Sequence, residues 1–325
     1  MEMFVNYFVR AEKSKFIYLI FSLWFFVLGN DVVAEAQDDR IQSISIEAPS
    51  LLKSVIPNKP QQDLVVILPT DYHVNKKSYP VLYYLHGYGG RPSQAKVLAP
   101  YSQNFIVVGI NGYNKFAGSF YANSVVTGNW EDFVIKDTIN FIDSNYRTIK
   151  SAKGRGIAGF SMGGVAAINI ALKHPEIYQS LFALSPAAFG RNGMDKAVKH
   201  LAEGGWTRLL DGYAATFAPK VDGSDLPWHA WDAKNEKIRT MWDSGWGNWK
   251  TKIGNYAKGE THLARVRIEY GKYDKLPWIP EGALFVANML KNRGQTIEIV
   301  DHNGGHDLKP LQAQNIANFF DASFK

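Results

Sequence analysis

Arg155-Gly-Ile-Ala-Gly-Phe-Ser-Met-Gly-Gly-Val-Ala-Ala-Ile-Asn-Ile-Ala-Leu-Lys173 is the stretch from which the fold can be read. Its opening residues have the length and apolar content of a short buried strand. Gly159-Phe160-Ser161-Met162-Gly163 follows, a G-x-S-x-G pattern whose glycines let a strand turn sharply into a helix. Small residues from Val165 to Lys173 then predict a helix, closed by His174-Pro175. Such a unit leaves Ser161 exposed at the end of a sheet, with strained backbone angles.

Outward from this unit the same rhythm continues. Strands are predicted at Ile41 to Ile46, Asp63 to Leu68, Tyr79 to Leu85, Asn104 to Ile110, Tyr178 to Leu184, Ala264 to Tyr270 and Thr296 to Val300. Helices are predicted over 130–143, near 280–292 and over 309–321. Short apolar strands alternating with helices indicate a mostly parallel α/β sheet covered on both faces, with antiparallel pairing open only to the first strands. One segment breaks the pattern. Residues 187–262 hold Trp206, Trp228, Trp231, Trp242, Trp246 and Trp249, six of the nine tryptophans. An insertion of this length between core strands suits a lid or binding surface, and equally a small aromatic core of its own.

A serine hydroxyl needs a base to take its proton. Of the eight histidines, His306 stands in Asn303-Gly-Gly-His-Asp307, a glycine-flexed loop between a late strand and the last helix. His302 is its rival at the strand end, and His86 reads as a residue that fixes the loop it opens. Asp274 closes the strand that precedes the histidine and suits the role of orienting the imidazole, whereas Asp301 and Asp307 lie too close to His306 in sequence. The order Ser161, Asp274, His306 is that of α/β-hydrolases and differs from both major serine-protease folds. For the oxyanion hole, the N–H of Met162 supplies one donor and the loop His86-Gly-Tyr-Gly-Gly90 the second, through the N–H of Tyr88.

At these residues the chain resembles the putative-esterase family of α/β-hydrolases, which includes esterase D (S-formylglutathione hydrolase), bacterial feruloyl esterases, enterochelin esterases and the antigen-85 mycolyltransferases. The resemblance is carried by Tyr79-Pro-Val-Leu-Tyr-Tyr-Leu-His-Gly-Tyr-Gly-Gly90, Trp130-Glu-Asp-Phe133, Gly159-Phe-Ser-Met-Gly-Gly164, Gly271-Lys-Tyr-Asp274 and Gly304-Gly-His-Asp307, spread over about 40–310. It implies Ser161 as nucleophile, His306 as base and Asp274 as its partner, in agreement with the reading from the residues. The long Trp-rich segment departs from a minimal family member, so the resemblance does not carry a substrate with it.

Composition narrows the alternatives. With 46% hydrophobic residues in 325, the chain can bury a full core and is neither disordered nor fibrous. Its net charge of +6 is scattered, with no stripe of the kind that nucleic acid requires. The absence of cysteine excludes disulfides, Cys-ligated zinc, iron–sulfur clusters, a thiol nucleophile and a lipidated cysteine. No cofactor or metal is implied.

The N-terminus reads as an export signal. Arg10, Lys13 and Lys15 precede an uncharged apolar run from Phe16 to Leu28, and Val33-Ala-Glu-Ala36 ends in an Ala-x-Ala site. Residues 1–36 are therefore expected to be a signal peptide and 37–325 one α/β-hydrolase domain, periplasmic or secreted, with no stable membrane anchor after cleavage. The function expected is that of an exported serine carboxylic-ester hydrolase working through an acyl-enzyme, on a small-molecule or polysaccharide-linked ester such as a feruloyl or acetyl ester. An acyltransferase with the same three residues, or a catalytically silent carbohydrate- or lipid-binding protein, are the alternatives.

Overall fold

The computed structural model describes residues 38–325, so the expected signal segment lies outside the described residues. Eight strands form the central sheet: β1 (Ile41–Glu47), β2 (Gln61–Ile67), β3 (Val81–Leu85), β4 (Ile106–Ile110), β5 (Arg155–Phe160), β6 (Ser180–Leu184), β7 (Arg265–Gly271) and β8 (Ile297–His302). Their order is β1-β2-β4-β3-β5-β6-β7-β8. β2 runs antiparallel to both neighbours, and every pair from β4–β3 to β7–β8 is parallel. This is the mostly parallel sheet expected from the sequence, and its strand order is that of an α/β-hydrolase.

The central strands β3 to β6 are buried on both faces because their apolar residues are continuous rather than alternating, whereas β1 and β8 at the edges are only partly buried. β3 reads Val-Leu-Tyr-Tyr-Leu and is buried throughout. Its pleat sends Val81, Tyr83 and Leu85 into one core cluster and Leu82 and Tyr84 into the other. The first face is covered by the helix at Trp130–Asn145, by α1 (Met162–Lys173) and by α6 (Trp278–Lys291). The second is covered by the 3-10 turns at Pro92–Leu98 and by α7 (Pro310–Ser323).

Helix 130–145 differs from the regular helix expected. Phe133–Thr138 is π-helical, which turns Phe133, Val134 and Ile135 inward together. The segment between β6 and β7 is helical as well: α2 (Gly193–Glu203), α3 (Thr207–Phe217), α4 (Glu236–Trp246) and α5 (Trp249–Lys258). Most of its tryptophans make a core. Trp242, Trp246 and Trp249 are buried, and Trp228 and Trp231 pack against them. Tyr213 stands at the centre, its hydroxyl donating to Trp242 O (2.7 Å) and accepting from Trp246 N (2.8 Å). Trp206 is different, with 43% of its surface exposed.

Strand order reverses between β3 and β5, because β4 lies on one side of β3 and β5 on the other. Parallel sheets open a crevice at the carboxyl ends of the strands at such a point. Leu85 of β3 pairs with Gly159 of β5, so the loop opened by His86 and the turn carrying Ser161 leave the sheet side by side.

Candidate active site

Ser161 sits between β5 and α1 with φ +56° and ψ −115°, outside the ordinary regions for an L residue. Backbone strain of this kind costs about 1–3 kcal/mol and persists only where the surroundings enforce it. Here they do: Ser161 N donates to Leu184 O (3.0 Å), and Ser161 O accepts from Val165 N and Ala187 N (3.1 Å each). A side chain at Gly163 would place Cβ 2.1 Å from Leu85 O, so only glycine lets α1 start this close to β3.

His306 and Asp274 arrive from the neighbouring loops. His306 Nε2 lies 2.8 Å from Ser161 Oγ, and His306 Nδ1 lies 2.6 Å from Asp274 Oδ2. The Asp274 side chain is fully buried, and its Oδ1 accepts from Leu276 N (2.8 Å). A carboxylate only accepts, so Nδ1 carries the imidazole proton and Nε2 is left to accept from Ser161. The Phe160 ring lies against the imidazole, centroids 4.8 Å apart. The two loops are tied together by Lys272 N to His302 O (2.9 Å) and Tyr273 N to Gly304 O (3.0 Å). Gly271 permits this, since a Cβ there would fall 2.2 Å from Gly305 O.

The other candidates from the sequence lie elsewhere. His302 bonds neither Ser161 nor Asp274, and its Nε2 is buried without a partner among the described residues. Asp301 pairs with Lys272 (3.2 Å) and Asp307 with Lys309 (2.9 Å), so neither carboxylate is directed at the imidazole.

Met162 and Tyr88 both border the cavity at Ser161, and among the described residues their backbone N–H groups have no acceptor. The loop that carries Tyr88 is braced from below. Buried His86 accepts from Gly112 N at Nε2 (2.9 Å) and donates from Nδ1 to Gly87 O (2.8 Å), which requires a neutral ring. The Tyr121 hydroxyl accepts from His86 N (3.0 Å), and Gln94 Oε1 accepts from Gly87 N (3.2 Å).

Burial lowers the pKa of His86 from its ordinary 6.5 to about 4. Between those values the unfolded chain binds a proton that the folded chain refuses, so stability falls as the pH is lowered from about 6.5 to about 4. The loss expected from this one group is on the order of 3 kcal/mol, with none added below about pH 4. Urea unfolding at pH 7.5 and 4.5 checks this: His86→Asn, though weaker at pH 7.5, should lose less on acidification than the parent. Equal losses in both proteins would remove His86 as the cause.

The cavity beside Ser161 measures about 130 Å³ and has apolar walls: Tyr88, Leu201, Trp206, Leu209, Trp246 and Trp278. Trp206 forms its outer rim, 6.1 Å from the Tyr88 ring, while Trp246 and Trp278 stack at 5.9 Å. The insertion thus builds its own core and also lends residues to the cavity. Trp278, Phe160, Gln94 and Tyr121 were missed in the sequence reading. Only Phe160, inside the G-x-S-x-G pattern, had a local signal. Among the described residues no group of three or more His, Cys, Asp or Glu is placed to hold a metal ion.

Comparison with known proteins agrees with this architecture. Esterase Rv1288 of Mycobacterium tuberculosis is 33% identical over 136 residues, covering 39% of this chain and 30% of that protein, so the chain matches under a third of the length of its curated relatives. Among solved structures, a fluorophosphonate-binding serine hydrolase of Staphylococcus aureus superposes with a TM-score of 0.61 at 18% identity, covering 88% of this chain and 98% of that one. A ferulic acid esterase of Anaeromyces mucronatus gives 0.54 at 16%, covering 87% and 90%. These likenesses show the fold, an α/β-hydrolase. The family described as "Putative esterase" matches residues 59–322, a span that takes in the Ser161 turn and the loops of Asp274 and His306, and the chain belongs to that family.

Proposed function

We propose that the chain is a serine carboxylic-ester hydrolase working through an acyl-enzyme. The observation that carries this reading is the continuous line from Asp274 Oδ2 through His306 to Ser161 Oγ, beside the backbone N–H groups of Met162 and Tyr88, which have no acceptor among the described residues. Ser161 Oγ attacks the ester carbonyl carbon and its proton passes to His306 Nε2. The N–H groups of Met162 and Tyr88 receive the oxyanion, and Asp274 holds the imidazolium that forms. The proton returns to the leaving alcohol. Water, deprotonated by His306, then releases the acid from Ser161.

The small apolar cavity supports a short acyl group. At about 130 Å³ it is well under the roughly 300–1,000 Å³ of pockets that take drug-sized ligands, which favours an acetyl over a feruloyl ester. The ferulic acid esterases of the same fold keep the feruloyl group as the competing substrate. The apolar run and Ala-x-Ala site of residues 16–36 support action in the periplasm or outside the cell.

A series of p-nitrophenyl esters from acetyl to dodecanoyl, with the feruloyl ester beside it, tests the reading. kcat/KM should peak at acetyl to butyryl and fall at least about tenfold by octanoyl, as chains outgrow the cavity. Preference for the feruloyl ester would reverse the acyl assignment. No turnover with any ester, in folded protein, would overturn hydrolysis itself.

A further inference from the structure

A second and larger cleft has in its wall Arg91, the residue that follows the Tyr88 loop. It measures about 660 Å³ and is lined by Lys59, Asp63, Arg91, Tyr113, Lys115 and Arg208, among others. Two of its cations are joined to the catalytic cavity by the chain itself. Arg91 follows Gly90, the last residue of the loop that carries Tyr88, and Arg208 stands two residues beyond Trp206 on the cavity rim.

Both guanidinium groups are held in place. Arg91 donates from Nη1 to Gly89 O (3.1 Å) and Gly90 O (2.9 Å), and stacks over the Tyr113 ring with Cζ 3.2 Å from its centroid. Arg208 donates from Nε (3.1 Å) and Nη2 (2.6 Å) to Lys115 O, with its Cζ 6.0 Å from the same ring. Together the two cations pull the Tyr113 phenol below its usual pKa, as convergence on one ring requires. What the cluster lacks is an acid. Among the described residues no carboxylate comes within 4.0 Å of Lys59, Arg91, Lys115 or Arg208, and Asp63, in the wall of the same cleft, is beyond that distance too. Like charges gathered this way repel one another, and a bound anion relieves that repulsion; guanidinium forks suit a carboxylate.

We propose that this cleft is the subsite for a carboxylate on the alcohol portion of the ester, so that the substrate is a short acyl ester of a hydroxy acid such as a uronic-acid residue. The inference rests on the hydrolase reading for its catalytic half. The acyl group fills the apolar cavity, and the alcohol leaves past Tyr88 and Trp206 toward the cations. Hydrolysis then yields the short acid and a free hydroxy acid.

The test compares para-acetoxybenzoate with its uncharged methyl ester, each kcat/KM divided by the rate of hydroxide hydrolysis of that ester. The parent should favour the anion about tenfold or more. That ratio should fall at least about fivefold in Arg208→Gln, fall similarly in Lys115→Gln, and shrink as NaCl is raised to about 0.5 M. A ratio near one in the parent, or one that neither substitution moves, overturns the subsite. Calorimetric titration of para-hydroxybenzoate into Ser161→Ala protein gives an arm independent of turnover. Binding that Arg208→Gln weakens upholds the subsite even if no ester is cleaved, in which case it is the hydrolase reading that fails. No binding, with the esters cleaved at equal normalised rates, removes the subsite and leaves the hydrolase reading intact.

Discussion

Replacing Ser161 with alanine is expected to lower kcat on acetyl esters by about 10⁴–10⁶-fold while the protein stays folded. Everything else in the arrangement survives the change. His306 keeps its bond to Asp274, and Met162 and Tyr88 still border the cavity. Alanine also meets the same backbone constraint as serine at φ +56°, so the turn is no more strained than before. What disappears is the hydroxyl that lies within reach of His306 Nε2, and with it the proposed acyl-enzyme. Residual catalysis should come only from binding and from the oxyanion donors. Steady-state rates, with circular dichroism to show the fold, decide the matter. Turnover within about tenfold of the parent would mean that the reaction does not pass through Ser161.

The next largest effect expected is that of Asp274→Asn, about 10⁴-fold in kcat near neutral pH. The amide is isosteric, and its oxygen can still accept from Leu276 N, as Asp274 Oδ1 does now. Its NH₂ group then faces His306 Nδ1 in place of Oδ2. A donor there makes Nδ1 the acceptor and moves the ring proton to Nε2, so the ring meets Ser161 as a donor and cannot take its proton. The imidazolium also loses the buried carboxylate opposite it. A variant that retains its melting temperature but loses most of kcat matches this account. One that keeps kcat within about fivefold would show that Asp274 does not set the tautomer.

These two substitutions bear on residues that the sequence marked unequally. Ser161 was legible from local pattern, because a sharp strand-to-helix turn needs glycines at fixed offsets and Gly159 and Gly163 stand there. Asp274 and His306 were legible through chain order and loop position, with His302, at the strand end, as the rival histidine. Packing separates them. β8 runs to His302, where it pairs with Gly271, and the chain turns through Gly304 and Gly305 before His306 swings over Phe160. No periodicity contains that turn; it depends on the absence of a Cβ at Gly271, where Gly305 O approaches.

The sheet was more readily legible than the insertion. Apolar runs announce the buried central strands, alternation announces β1 and β8 at the edges, and all eight strands overlap stretches that read as strand. The tryptophans of 187–262 carried no comparable signal, since an indole is equally suited to a core and to a binding wall. Their division followed from α2–α5 packing around Tyr213, which buries Trp242, Trp246 and Trp249 and leaves Trp206 at the rim.

By itself, then, the sequence determined the α/β alternation, the turn that carries Ser161 and the order Ser161, Asp274, His306, all properties of local spacing and composition. Only the tertiary structure decided which indoles of the insertion are buried and that Trp206 stands at the rim, that the cavity is small, and that Arg91 and Arg208 meet at Tyr113. Those outcomes depend on distances between segments far apart in the chain, and packing against the sheet sets such distances, whatever the neighbouring residues prefer.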